Sequence, residues 1–226
     1  MVQARPRNGM RGEKASRLRL AAPWYVHPAE APAAWNSLLT GSDLSFAVVN
    51  AANGPSPWDP YYREVLGGQS MTPLAGYVTV DYGRRPSVLV LKDVQDWLSL
   101  PAVSGVMFDC VPPVESGEWR LSLIEEARWA GAQLVAANPG RPPSLDLVAA
   151  ADVTCVGEYG WATFRKWKKP DYLDACPSDR QWILVHGVPE QDQGEALEKI
   201  RSEGAGLGWA TSGELPNPWA VLPLAW

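Results

Sequence analysis

Short apolar runs rich in Val, Tyr and Trp recur along this chain, each followed by a stretch with helical spacing and separated from the next by Pro and Gly. That alternation is the rhythm of βα units. The first run, residues 23–27 (PWYVH), leads into a helical segment at 33–39 in which Trp35, Leu38 and Leu39 share a face. Strands at 45–50, 74–80, 105–110, 134–138, 153–156, 182–185 and 207–211 follow, with helical stretches between them, the clearest at 87–100 and 118–130. Parallel strands need crossovers of about a dozen residues or more, and these spacings supply them. Eight such units predict an α/β fold, a single (β/α)8 TIM-type barrel in a compact variant. A doubly wound open sheet is the alternative. Against it, no GxGxxG follows the first strand, and polar residues end nearly every strand rather than one switch point.

The 226 residues fit one such barrel, divided here into a basic lead-in at 1–20 and a barrel domain at 21–226. The lead-in carries Arg5, Arg7, Arg11, Lys14, Arg17 and Arg19 but no apolar core of a secretory signal. No run of about eighteen apolar residues occurs, so no helical membrane span is expected, and the reading is cytoplasmic. A net charge of -5 argues against a nucleic-acid partner, whose binders cluster Lys and Arg. Three cysteines without CxxC spacing indicate neither a disulfide framework nor a zinc site. Trp is unusually frequent, 12 against 3 Phe. Indoles stack well on sugars, but they also fill gaps between helices.

In a barrel, the C-terminal ends of the strands converge on one mouth. The residues placed there are Tyr25, His27, Asn50, Asn53, Asp81, Tyr82, Asp109, Asn138, Glu158 and His186. Two carboxylates stand out, Asp109 after strand four and Glu158 after strand six. Glycoside hydrolysis needs such a pair, one to protonate the leaving oxygen and one to attack or to activate water. The structural alternative is that Asp109 caps its loop and Glu158 pairs with a nearby cation. His27 and His186 lack the spacing of a metal site. Cys110 reads more readily as a small hydrophobe than as a nucleophile, and no GxSxG elbow or GxxxxGK[ST] loop occurs. Lys166, Lys168 and Lys169 form a cluster read as solvated, which leaves an aldolase-type lysine without a place inside the barrel.

The ordered segments WYVHP, VVNAANGP, GYVTVDYGRRP, VMFDC, AANPG and VGEY resemble the spherulin-4-like (spherulation-specific family 4) proteins from about Trp24 to Lys168, and the later NPW and LP also fit. The resemblance implies a glycoside-hydrolase-like barrel related to enzymes that cut α-1,4-linked galactosamine or N-acetylgalactosamine polysaccharides. It implies Asp109 as nucleophile or stabiliser and Glu158 as general acid/base. The family commonly carries a second acid after that Asp, where this chain has Cys110, and relatives cutting extracellular polysaccharide are usually secreted. The expected function is hydrolysis of an amino-sugar oligo- or polysaccharide without a cofactor, with Tyr25, His27, Asn50, Asn53, Asp81, Tyr82, Asn138 and His186 holding the sugar. The alternative is a barrel that binds carbohydrate without cutting it.

Overall fold

The computed structural model describes residues 17–55, 59–112 and 114–221. Eight parallel strands close into a barrel in chain order. They are β1 (Arg19–Trp24), β2 (Leu44–Val49), β3 (Leu74–Thr79), β4 (Val103–Asp109), β5 (Leu134–Asn138), β6 (Val153–Gly160), β7 (Gln181–His186) and β8 (Leu207–Ala210). Between them lie α1 (Pro32–Thr40), α2 (Pro60–Leu66), α3 (Ser87–Leu98), α4 (Ser122–Trp129), α5 (Leu145–Ala150), α6 (Trp161–Phe164) and α7 (Gln193–Ser202). The (β/α)8 architecture expected from the alternation is therefore the fold.

Two strands differ from the sequence reading. β1 begins at Arg19, and its first residues Arg19 and Leu20 pair with Leu207 and Gly208 of β8 to close the barrel. The Ala-Ala-Pro at its centre lacks the β-branched signature of a strand, which drew the reading towards Trp-Tyr-Val downstream. Residues 1–16 lie outside the described residues. β6 continues past Val156 to Gly160, so Glu158 is inside a strand rather than after one. Lys169 also departs from the solvated-cluster reading: its side chain is buried, with the amine 2.9 Å from Asp174 and 3.1 Å from Gln181 Oε1.

The tryptophans explain much of the packing. Trp182 of β7 meets Phe46 of β2, ring centroids 5.2 Å apart. These strands are not neighbours, so the contact runs through the barrel interior. The adjacent Ile183 and Val185 face the other way, clustered with Ala196 and Ile200 of α7. Trp97 of α3 lies against Gly76 of β3, where a side-chain carbon would stand 2.2 Å from the indole, so glycine is required by the close approach of helix to strand. Three indole N–H groups donate to backbone carbonyls: Trp35 to Val26 at 2.9 Å, Trp97 to Tyr77 at 2.7 Å and Trp182 to Ala21 at 3.0 Å. Each buried indole removes about 150–250 Å² from water, roughly 4–6 kcal/mol before entropy is counted. Most of the Trp excess is thus structural.

The chain end returns to the mouth. A 3₁₀ turn at Pro218–Ala220 buries Trp219, and the Tyr25 N–H donates to the Trp219 carbonyl at 3.2 Å. Residues 222–226 lie outside the described residues.

Candidate functional site

Regular alternation from Gly105 to the end of β4 delivers Asp109 to the mouth. Phe108 points outward onto Trp119, ring centroids 5.4 Å apart, so its neighbour turns inward. Asp109 stands in register with Thr79 of β3 and Asn138 of β5. The Tyr77 hydroxyl donates to Asp109 Oδ2 at 2.7 Å, and the Cys110 thiol points to the same oxygen at 3.6 Å. Tyr25 meets Tyr77 edge to face at 5.9 Å. Burial pushes the Asp109 carboxyl above its ordinary range, opposed by the donors Tyr77, Cys110 and Asn138. Burial, followed by the charge of Asp109, drives the Tyr25 hydroxyl upward and raises the Cys110 thiol to about 11, so both remain protonated at neutral pH.

Glu158 reaches the same mouth by a different route. Cys155 is in register with the inward Trp182, Gly157 with the outward Ile183, and Glu158 with the inward Leu184, with a bulge between Cys155 and Gly157. Regular alternation from Cys155 would send Glu158 outward; the extra residue reverses the phase and aims it inward. Gly157 suits the outer position, because a side-chain carbon there would lie 2.9 Å from Tyr159 and 3.4 Å from Trp167. Asn138 joins the two carboxylates. Its Oδ1 accepts from Gly140 N–H at 2.9 Å, which directs Nδ2 to Glu158 Oε2 at 2.7 Å. Burial raises the Glu158 carboxyl, Asn138 and Trp219 oppose this, and the charge of Asp109 adds to it.

His186 ends β7 in register with Gly160, and its ring meets Trp219 edge to face at 6.1 Å. Burial holds the imidazole below its usual pKa and therefore neutral at pH 7. Tyr82 stands at the rim beside Cys110. Tyr25, Tyr82, Asp109, Asn138, Glu158 and His186 are thus arrayed around one mouth.

The other four residues are engaged in loop contacts or exposed. His27 accepts the Ala29 N–H at Nδ1, so Nε2 carries the proton that meets Asp59 Oδ2 at 3.0 Å. Asp59 in turn caps α2, accepting from the N–H groups of Tyr61 and Tyr62. Asn50 closes its loop by accepting from Gly54 N–H at 3.2 Å, and Asn53 is exposed with a left-handed backbone, φ 56°. Asp81 is exposed and paired with Arg84. Two residues at the mouth were not anticipated. Tyr77 lies inside a strand rather than at its end and reaches the mouth by its length; Trp219 arrives on the returning chain end.

Two half-buried carboxyl groups on one mouth, with fixed donors, can divide proton donation and charge stabilisation between them. Among the described residues no three His, Cys, Asp or Glu side chains converge to hold a metal ion, and no helix is long and apolar enough to cross a membrane.

Sph3 of Aspergillus clavatus, solved in complex with GalNAc, superposes with a TM-score of 0.75 at 26% identity, covering 92% of this chain and 94% of that chain. Oxaloacetate acetylhydrolase with its product oxalate aligns at 12% identity over 86% of this chain and 75% of that one, with a TM-score of 0.49, too low to bear on function. No match was found among curated proteins. The sequence profile of spherulation-specific family 4 matches residues 19–226, from the first strand of the barrel onward, and the chain belongs to that family.

Proposed function

We propose that this protein is a glycoside hydrolase acting on galactosamine- or N-acetylgalactosamine-containing oligo- or polysaccharides through Asp109 and Glu158. The observation that carries the reading is the convergence of both carboxyls on one mouth, with Asn138 placed between them. The GalNAc complex of the similar Sph3 supports the choice of sugar. The donors divide the roles. Asp109 receives Tyr77 O–H and Cys110 S–H on one oxygen, which favours its anion and suits it to stabilise or attack the anomeric carbon. Glu158, raised by burial and facing the Asp109 charge, is the group that holds a proton for the leaving oxygen. No cofactor enters this chemistry.

The test is release of reducing ends from galactosamine and N-acetylgalactosamine polymers by the native protein, Asp109→Asn and Glu158→Gln. Cleavage by the native protein and its loss in both variants is the expected result; equal activity in either variant refutes the pair.

A second reading, a carbohydrate-binding barrel without hydrolysis, draws on Cys110. A thiol that stays protonated stands where the family commonly carries an acid. Sugar binding by the native protein without any release of reducing ends would favour it.

A further inference from the structure

After β3 the backbone turns left-handed at three consecutive residues, Asp81 (φ 47°), Tyr82 (φ 53°) and Gly83 (φ 80°), and Cys110 after β4 is left-handed too (φ 55°). Residues with a Cβ rarely adopt this conformation, and it persists only where the surroundings enforce it. Here the two loops lock each other. Tyr82 N–H donates to the Cys110 carbonyl at 2.8 Å, Val80 N–H to Asp109 at 2.9 Å, Arg84 N–H to Asp81 at 3.0 Å and Glu118 N–H to Gly83 at 2.8 Å. Gly83 permits the closure, since a side-chain carbon there would stand 2.0 Å from the Ser116 carbonyl oxygen.

The lock has one visible product: the Tyr82 ring is held at the rim, 48% exposed. Its side chain reaches the Cys110 thiol, which itself points to Asp109. The Arg84 guanidinium lies over the ring, 5.8 Å from its centroid. An aromatic face fixed in advance loses little entropy when a flat apolar surface settles on it, and the C–H face of a pyranose is such a surface.

We infer that Tyr82 is the platform of a second sugar subsite, adjoining Asp109 but separate from the space between Asp109 and Glu158, so that the ligand is a chain of at least two sugar units. The inference rests on the proposed function and names the form of its substrate. The Tyr82 ring takes the C–H face of the second unit.

Calorimetric titration of the Glu158→Gln protein, which would leave oligosaccharides uncut, tests this with GalNAc and with di- to tetrasaccharides of galactosamine and N-acetylgalactosamine. Tyr82→Ala is expected to weaken the oligosaccharides about tenfold and leave GalNAc unchanged, while Tyr82→Phe keeps most of the affinity. Tyr82→Gly, which removes the ring while easing the backbone, should match Tyr82→Ala and so separate ring loss from misfolding. Equal weakening of GalNAc and oligosaccharide, or no weakening of either, overturns the second subsite while leaving the proposed function in place. Failure of the native and Glu158→Gln proteins to bind any of these sugars overturns the proposed function and this inference with it.

Discussion

The Tyr77 hydroxyl sits 2.7 Å from Asp109 Oδ2, a hydrogen bond between neighbouring strands that ties a phenol from inside β3 to the carboxyl ending β4. Burial drives the Tyr77 hydroxyl far above its ordinary pKa, so it stays a donor at every working pH. It stabilises the charged form of Asp109 against the burial that raises it. Tyr77→Phe removes that donor while keeping the ring. A hydrogen bond to a charged group contributes about 1.5–3 kcal/mol, so the Asp109 pKa should climb by roughly one to two units. The carboxyl carbon resonance of Asp109, followed by NMR through the titration, measures this without reference to activity. If cleavage depends on the Asp109 anion, the acid limb of its pH profile moves up by the same amount; an unmoved titration would show that Tyr77 does not govern the charge.

Asp109 and Glu158 both have folded pKa values raised by burial. A group raised on folding contributes stability that is full below its unfolded value and is lost as pH rises through the folded one. Each carboxyl therefore contributes less to the stability of the barrel at pH 7 than it does below its unfolded value. Asp109→Asn and Glu158→Gln should each raise the melting temperature at pH 7, by about 2–4 °C for every ~1 kcal/mol relieved. The gain should fade near pH 4, about where the unfolded carboxyls protonate. Calorimetry at the two pH values decides it, and a gain equal at both would contradict the electrostatic account.

The bulge that aims Glu158 has its own signature. A side-chain carbon at Gly157 would press on Tyr159 at 2.9 Å and on Trp167 at 3.4 Å. Gly157→Ala should therefore destabilise the protein by about 1–3 kcal/mol in denaturant unfolding. Deleting Val156 removes only the extra residue and leaves Cys155, Gly157 and Glu158 opposite Trp182, Ile183 and Leu184 in simple alternation, so the deletion variant, where folded, should keep the Asn138 contact to Glu158 in its crystal structure; loss of that contact would show that the bulge itself aims the side chain.

Asp59 predicts a stability effect remote from the sugar-handling residues. The His27 hydrogen bond, aided by the N–H groups of Tyr62 and Tyr61, holds its carboxyl below the ordinary range. A depressed carboxyl contributes stability above its unfolded pKa that is lost as pH falls through the folded one. Asp59→Ala should cost about 1 kcal/mol at pH 7 through loss of the α2 cap, and less at low pH. Sugar binding by this variant should match the native protein; a large loss would place the His27–Asp59 pair in the site after all.

Local pattern was enough for the eight βα units, because an apolar run with its following amphipathic stretch is a short-range property of the chain. It was enough too for Asp109 and Asn138, which end stretches of unbroken alternation, from Gly105 in β4 and from Leu134 in β5. Glu158 was legible as a residue but not as a direction: its inward aim depends on a bulge that only pairing with β7 reveals. His27, Asn50, Asn53 and Asp81 follow strands as the mouth residues do, yet His27 pairs with Asp59 of the next βα loop, Asn50 and Asp81 find partners in their own loops, and Asn53 is exposed, outcomes that sequence position does not display. Tyr77 and Trp219 reach the mouth through side-chain length and through the return of the chain end. The sequence by itself determined the barrel, since hydrophobic periodicity and crossover length are local. The tertiary structure decided which polar groups meet inside it, because strand register, a single bulge and the closing chain end act between residues far apart in the chain.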